Sequence, residues 1–238
     1  MSPARPAALA FAWVGAALFA ISLLVFLYAY FATFGRPPLS NSPDRAALID
    51  VALFSAFALH HSLLARTGAK QRLARVLPPT LERTVYIITA SILFIAVCLL
   101  WRPVNGELYR VDGPLRAIFY GIQAAGIAVT IVGTSTLGVL NLAGVRQALD
   151  ADPGAAESLA LRTSGLYGMV RHPLYFGWFL LVFGTPHMTM TRLVFAVVST
   201  AYLALAIPFE ERDLVGVFGD DYRRYQRTVR WRMLPGLY

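Results

Sequence analysis

From Ala7 to Phe34 the chain runs for 28 residues without a charge. A helix of that length rises about 42 Å, more than the roughly 30 Å of hydrocarbon in a bilayer. A stretch so long and so apolar has few stable homes other than a membrane. It exceeds the apolar core of a signal peptide and lacks a convincing cleavage site, so it reads as a retained span. Five further apolar segments follow: Ala46–Ala65, Val85–Trp101, Ala117–Leu142, Leu174–Phe183 and Leu193–Phe209. The fifth of the six is short and stops at Gly184-Thr185-Pro186, a strong breaker. It forms a tight helical hairpin with the sixth, turning near Gly184–Thr191. The reading is an all-α integral membrane protein of about six transmembrane helices. Residues 1–209 make the bundle, and 210–238 form a cytosolic amphipathic tail within the same functional domain.

Composition narrows the function. Hydrophobic residues make up 57% of the chain and charged residues 14%, against roughly 25% charged in soluble domains. The net charge of +8 therefore speaks of topology and lipid headgroups, not of nucleic acid. With six crossings, 15 of the 21 Lys and Arg fall on the side holding both termini, the 66–84 loop and the 143–173 loop. The positive-inside rule places that side in the cytoplasm. Cys98 is the single cysteine, so no internal disulfide forms. No CxxC or His/Cys cluster offers a metal site, and Walker, GxSxG and HExxH patterns are absent.

Two polar clusters stand out against this background. Thr163–Gly177 reads TSGLYGMVRHPLYFG, and Glu210-Glu211-Arg212-Asp213 marks the exit of the last span. Both fall on the cytoplasmic side, where they can share one site, and polar groups at a membrane boundary are costly enough to suggest a function. Pro173 suits the first position of a helix, leaving free N–H groups and a positive dipole end that bind anions. Arg171 or Arg162 would reinforce that end. Glu210 or Glu211 would hold an ammonium group or hydroxyls. An anion site beside a cation site suits a zwitterionic cofactor. The plainer alternatives are an interfacial anchor for Arg171 and Tyr175, and a helix-terminal salt bridge for the glutamates. Beyond Phe209, Leu214, Phe218, Tyr222, Tyr225 and Val229 recur on one face of an amphipathic helix. That face either lies on lipid or caps a pocket with its tyrosines. His60-His61 offers haem ligands, but facing histidines are scarce.

The pattern Gly165-x-Tyr167-x-x-x-Arg171-His172-Pro173-x-Tyr175-x-Gly177, followed by Glu210-Glu211-x-x-Leu214-x-x-x-Phe218-Gly219-x-x-Tyr222-x-x-Tyr225, resembles the isoprenylcysteine carboxyl methyltransferase superfamily. These are integral membrane enzymes that use S-adenosylmethionine. The stretch from Asp50 through His61-Ser62-Leu63-Leu64-Ala65-Arg66, with Pro79-x-x-Glu82-Arg83, Trp101-Arg102-Pro103 and Gly144-Val145-Arg146-Gln147, is similar to its bacterial methanethiol S-methyltransferase branch. The resemblance implies a bacterial inner-membrane enzyme with cytoplasmic termini. It implies that Tyr167, His172, Pro173, Leu174 and Tyr175 line the S-adenosylmethionine pocket, with Leu161 and Arg162 nearby. Glu210 or Glu211 would contact the cofactor from the other side. His172 and Glu211 are the catalytic candidates, acting mainly through alignment. Tyr222, Tyr225, Arg230, Arg232 and His61 are candidates for the acceptor side.

Two departures bear on the acceptor. The prenyl-protein enzymes carry an arginine one turn before the glutamate pair, where this chain has Ala206. The tail run Val229 to Pro235 is one residue longer than usual, which leaves Arg230 and Arg232 competing for one role. The first departure argues for a small or hydrophobic thiol acceptor reaching the site through the bilayer. O-methylation of a prenylcysteine-type carboxylate and N-methylation of a lipid amine are the alternatives within the class. A haem-binding or transport-associated membrane protein is the alternative outside it. Oligomeric state is not written in the sequence.

Overall fold

The structure is a computed structural model that describes residues 4–36, 43–65, 79–143, 145–146 and 161–238. The elements in chain order are α1 (Ala4–Tyr28) with a π-helical turn (Ala29–Thr33), α2 (Pro43–Ala65), α3 (Pro79–Leu100) and β1 (Glu107–Arg110). Then come α4 (Leu115–Leu137), α5 (Val139–Leu142), α6 (Leu166–Met169), α7 (Pro173–Phe183), β2 (His187–Thr189), α8 (Met190–Phe218) and α9 (Asp220–Thr228). Five helices contain stretches long and apolar enough to cross a membrane: Pro6–Thr33, Arg45–Leu64, Leu81–Leu100, Leu115–Leu137 and Met190–Phe218. Large apolar side chains such as Leu24, Leu48, Leu99 and Leu205 point outward on them. Lipid is the solvent for which that surface is made.

The chain divides into two compact units. The first contains α1, α2, α3 and α5. Here α1 lies against α3, with Gly15 allowing Thr84 and Ile88 to approach. Phe26, Tyr30, Phe34, Phe57, Phe94 and Trp101 stack in tilted and edge-on contacts. The π-helical turn closes where the Phe34 N–H donates to the Ala29 carbonyl at 2.8 Å, which carries Tyr30 into full burial. Asp50 is buried and accepts the Arg102 N–H at 2.8 Å.

The second unit contains β1, α4, α6, α7, β2, α8 and α9. Its tightest packing joins α4 to α7. A Cβ at Gly126 would stand 2.6 Å from the Gly177 carbonyl oxygen and 2.7 Å from the Leu181 nitrogen, so only glycine lets these backbones meet. At 11 residues, α7 rises roughly 16 Å, about half a bilayer core. Its partner α8 rises roughly twice as far from Met190 to Glu211. Extended backbone from Gly184 to Thr189 makes up the difference. That backbone pairs antiparallel with β1 and also donates and accepts elsewhere. Val111 N–H donates to the Pro186 carbonyl, Tyr109 Oη to the Thr185 carbonyl, and Arg192 Nη1 to the His187 carbonyl. Non-helical backbone next to lipid needs this complete pairing.

Several boundaries differ from the sequence reading. The tight turn expected at Gly184–Thr191 is this paired strand. The fourth segment does not run unbroken from Ala117 to Leu142. It stops at Leu137, because Gly138 has φ 88, a conformation other residues rarely adopt. The sixth does not end at Phe209 but continues to Phe218. The tail is not one helix, since Gly219 (φ 58, ψ −129) separates α8 from α9. Nor do contacts divide the chain at residue 209, for 210–238 belong to the second unit.

Candidate functional site

Polar side chains in the second unit converge where α7 begins, α8 approaches its end and the tail returns. Pro173 occupies the first turn of α7 and His172 is its N-cap. Immediately before it, the backbone pairs with the tail: Arg171 N–H donates to the Trp231 carbonyl at 2.9 Å and His172 N–H to the Arg232 carbonyl at 2.8 Å. The tail is thereby stitched to the mouth of α7.

Glu211 is the hub of the cluster. It lies on α8 with 4% of its surface exposed. Its Oε1 accepts Arg171 Nε at 2.6 Å and faces His172 Nε2 at 3.4 Å. Its Oε2 accepts Gln226 Nε2 at 3.1 Å and pairs with Arg232 Nε at 3.4 Å. A buried carboxylate is tolerable only with such partners. The Arg171 Nη1 group also donates to the Val229 and Arg230 carbonyls, at 2.6 and 2.9 Å. Arg171 thus ties α7 to α8 and to the chain leaving α9, so it does not reinforce an open anion site as the sequence reading supposed. Glu211, expected to face a cofactor, is likewise turned inward.

Glu210 has the opposite environment. Its side chain is 44% exposed, and its Oε2 accepts the Tyr175 hydroxyl at 2.8 Å. His172 Nδ1 stands 3.6 Å from the same oxygen, and the His172 and Tyr175 rings stack at 9° with centroids 5.3 Å apart. The imidazole therefore bridges two adjacent glutamates, one buried and one open to solvent.

The two tyrosines of α9 line the cluster from the tail side. Tyr222 and Tyr225 are buried edge to face, with centroids 5.6 Å apart, and Leu161, Leu214, Val215 and Phe218 pack on them and on Val229. Asp220 and Asp221 begin this helix and Arg227 ends it, which suits its dipole. Tyr225 Oη donates to the Tyr167 carbonyl at 2.6 Å, and Tyr167 Oη to the Gly133 carbonyl at 3.5 Å. Burial, with Glu210 adding to it, pushes the Tyr167 hydroxyl up to about 12, and burial pushes Tyr222 and Tyr225 up as well. The Tyr222 hydroxyl is buried and has no hydrogen-bond partner among the described residues. Of the two openings the sequence left for the tail, pocket cap or lipid-lying helix, this packing matches the cap.

The other sequence candidates distribute unevenly. Leu174 packs over Gly133, and Arg162 is exposed at the start of the segment. Arg232 turns inward to Glu211, whereas the Arg230 side chain is exposed. His61 is not part of this cluster. It belongs to the first unit, where Tyr86 Oη lies 3.0 Å from its Nδ1. Among the described residues no group of three or more metal-binding side chains occurs.

Sequence reasoning missed Gln226, Tyr238 and the Ala204 carbonyl. Pro208 sits inside α8 and has no N–H to give the carbonyl four residues back. That carbonyl, Ala204, instead accepts Tyr238 Oη at 3.2 Å, and Tyr238 Oη accepts Arg232 Nη1 at 3.2 Å. The proline was the available signal, since a freed carbonyl always needs a donor. Nothing in the sequence marked Gln226.

Apolar spans carrying a buried ion-pair hub under a half-open glutamate define an α-helical integral membrane protein with a site at one end of its second unit. Residues 155–215 match the model of the isoprenylcysteine carboxyl methyltransferase (ICMT) family. The chain is 38% identical over 194 residues to a methanethiol S-methyltransferase of Pseudomonas deceptionensis, covering 81% of this chain and 74% of that one. It is 35% identical over 235 residues to methanethiol S-methyltransferase 2 of Bradyrhizobium diazoefficiens, covering 95% and 89%. It is 30% identical over 177 residues to a nurim homolog of Drosophila melanogaster, covering 70% and 69%. No solved structure matches it. The chain belongs to the ICMT family of membrane methyltransferases, alongside the methanethiol S-methyltransferases. It is an enzyme that moves a methyl group from a donor.

Proposed function

We propose that this enzyme methylates a small apolar thiol with S-adenosylmethionine. The observation that carries the reading is the state of the site's cations. Arg171 and Arg232 are both engaged on Glu211, and the position one turn before Glu210 is Ala206. A carboxylate acceptor would need a cation, and these two are spoken for. A thiol needs none. Likeness to methanethiol S-methyltransferases over most of both chains supports the same acceptor class.

The residues also suit the donor. An exposed Glu210 beside Tyr175 offers a carboxylate to a cationic or ammonium-bearing ligand, and the stacked His172 and Tyr175 rings offer aromatic faces. The unpartnered Tyr222 hydroxyl leaves one buried polar group for a ligand to satisfy. When bound, S-adenosylmethionine supplies a methyl group on a positively charged sulfur. The chain's work is to align the acceptor sulfur with it and to exclude water, because alignment alone is worth several kcal/mol and a desolvated thiolate is more reactive. Leu161, Tyr167, Leu174 and Tyr175 line the donor side in this reading, and Arg171 and Glu211 hold the wall. A thiol near pKa 8.5 must first lose its proton. His172 passes it from the pocket at Nδ1 toward the open Glu210 carboxylate.

The charge distribution supports cytoplasmic termini in an inner membrane of bacterial type, with the donor arriving from the cytosol. The thiol arrives through lipid. Purified protein given methyl-labelled S-adenosylmethionine should label methanethiol faster than a prenylcysteine or a lipid amine. Faster labelling of the prenylcysteine carboxylate would overturn the thiol assignment.

A further inference from the structure

We propose that Tyr222 is a binding residue for the methyl donor, its hydroxyl completing a hydrogen bond that the protein alone does not provide. The inference rests on the donor reading above and adds to it a residue and a role. Tyr222 is 2% exposed, and its hydroxyl has no partner among the described residues. Buried hydroxyls are almost always paired, and an orphan carries the full cost of its lost hydration. The neighbouring Tyr225 makes the contrast plain. The two rings touch on the same short helix, yet Tyr225 Oη is spent on the Tyr167 carbonyl at 2.6 Å. One tyrosine is a structural pin and the other carries an unused donor.

The surroundings select the ligand. Tyr222 stands within the electrostatic reach of Glu210, Glu211 and Arg171, and burial holds it in its neutral, proton-bearing form. It can therefore donate to an oxygen or nitrogen acceptor at neutral pH. It sits on α9, a polar helix outside the spans, reached from water and not from lipid. A small apolar thiol arriving through the bilayer has no acceptor atom that calls for such a group. A water-borne donor rich in nitrogen, hydroxyl and carboxylate groups has several.

The experiment compares Tyr222→Phe and Tyr225→Phe in the full-length, detergent-purified protein, with S-adenosylhomocysteine as the probe. Calorimetric titration should show Tyr222→Phe binding the probe roughly three- to tenfold more weakly than the parent. Its unliganded thermal midpoint should match or exceed that of the parent, because no bond inside the protein is lost. Tyr225→Phe should show the reverse, a lower unliganded midpoint from loss of the Tyr167 bond. Parent-like affinity in Tyr222→Phe would overturn the inference, and so would a midpoint lowered as far as in Tyr225→Phe. An effect confined to the KM of the thiol would overturn it too. A parent protein that fails to bind the probe would instead bring down the donor reading on which this rests.

Discussion

Replacing Glu211 by alanine should detach the tail before it does anything else. The carboxylate accepts from Arg171 and Gln226 and faces His172 and Arg232, with only 5% of its side chain exposed and 6% of Arg171's. Removal leaves the Arg171 guanidinium buried without its counter-charge, and breaking such a pair typically costs about 3–5 kcal/mol. Arg171 keeps the Val229 and Arg230 carbonyls, and Arg232 is exposed enough to swing into water. The lower end, about 3 kcal/mol, is therefore expected, a shift of roughly two decades in the open population. Arg223, Arg224 and Arg227 on α9 provide the assay, since trypsin cuts there only when the helix opens. Cleavage in detergent should accelerate by roughly a hundredfold when opening is fast relative to cutting. Adding Arg171→Met should recover part of the loss, because the stranded charge is then gone. A tail cut no faster than in the parent, with only ligand affinity reduced, would refute the reasoning and return Glu211 to the open side of the site.

Two further outcomes follow from other parts of the second unit. Gly126→Ala should force α4 and α7 apart, since its Cβ would fall 2.6 Å from the Gly177 carbonyl oxygen. A cost of about 1–3 kcal/mol should lower the thermal midpoint, whereas Gly121→Ala, with nothing within 4 Å, should leave it unchanged. Alkali should loosen the tail through its tyrosines. Tyr167, Tyr222 and Tyr225 hold their protons above the ordinary value of 10.0, so their contribution is complete below that pH. It is lost as pH climbs, because the unfolded tail ionises first. Tryptic release of α9 should therefore rise from about pH 10 upward, and an acidic shift of the same release instead would contradict the assignment.

The sequence was most legible where it was most anomalous. Arg171, His172, Glu210 and Glu211 are expensive residues in an apolar chain, and the structure brings them within 3.6 Å of one another. Periodicity identified the buried tyrosine face, but it could not see that Gly219 would break the helix carrying that face, because spacing ignores φ. The short α7 was readable from its flanking breaker. The β1–β2 pair was not, since three residues at His187–Thr189 carry little signal and their partner lies about eighty positions earlier. The inward turn of Glu211 and the outward turn of Glu210 were beyond reach as well. Adjacent identical residues differ only in the helix face each occupies, and packing decides which face is inside. His61 was grouped with the site on resemblance alone and lies in the other unit.

The stitching of residues 229–238 onto α7 and α8 has a bearing on biosynthesis. These residues leave the ribosome after the last span, yet they supply the carbonyls for Arg171, the partner for Glu211 and the donor for the Ala204 carbonyl. During synthesis, then, the inserted spans wait with a buried arginine and a proline-freed carbonyl unsatisfied. A chain interrupted before Val229 would carry the membrane anchor but not the wall of the pocket. It would be a natural substrate for membrane quality control, and not a half-active enzyme consuming methyl donor.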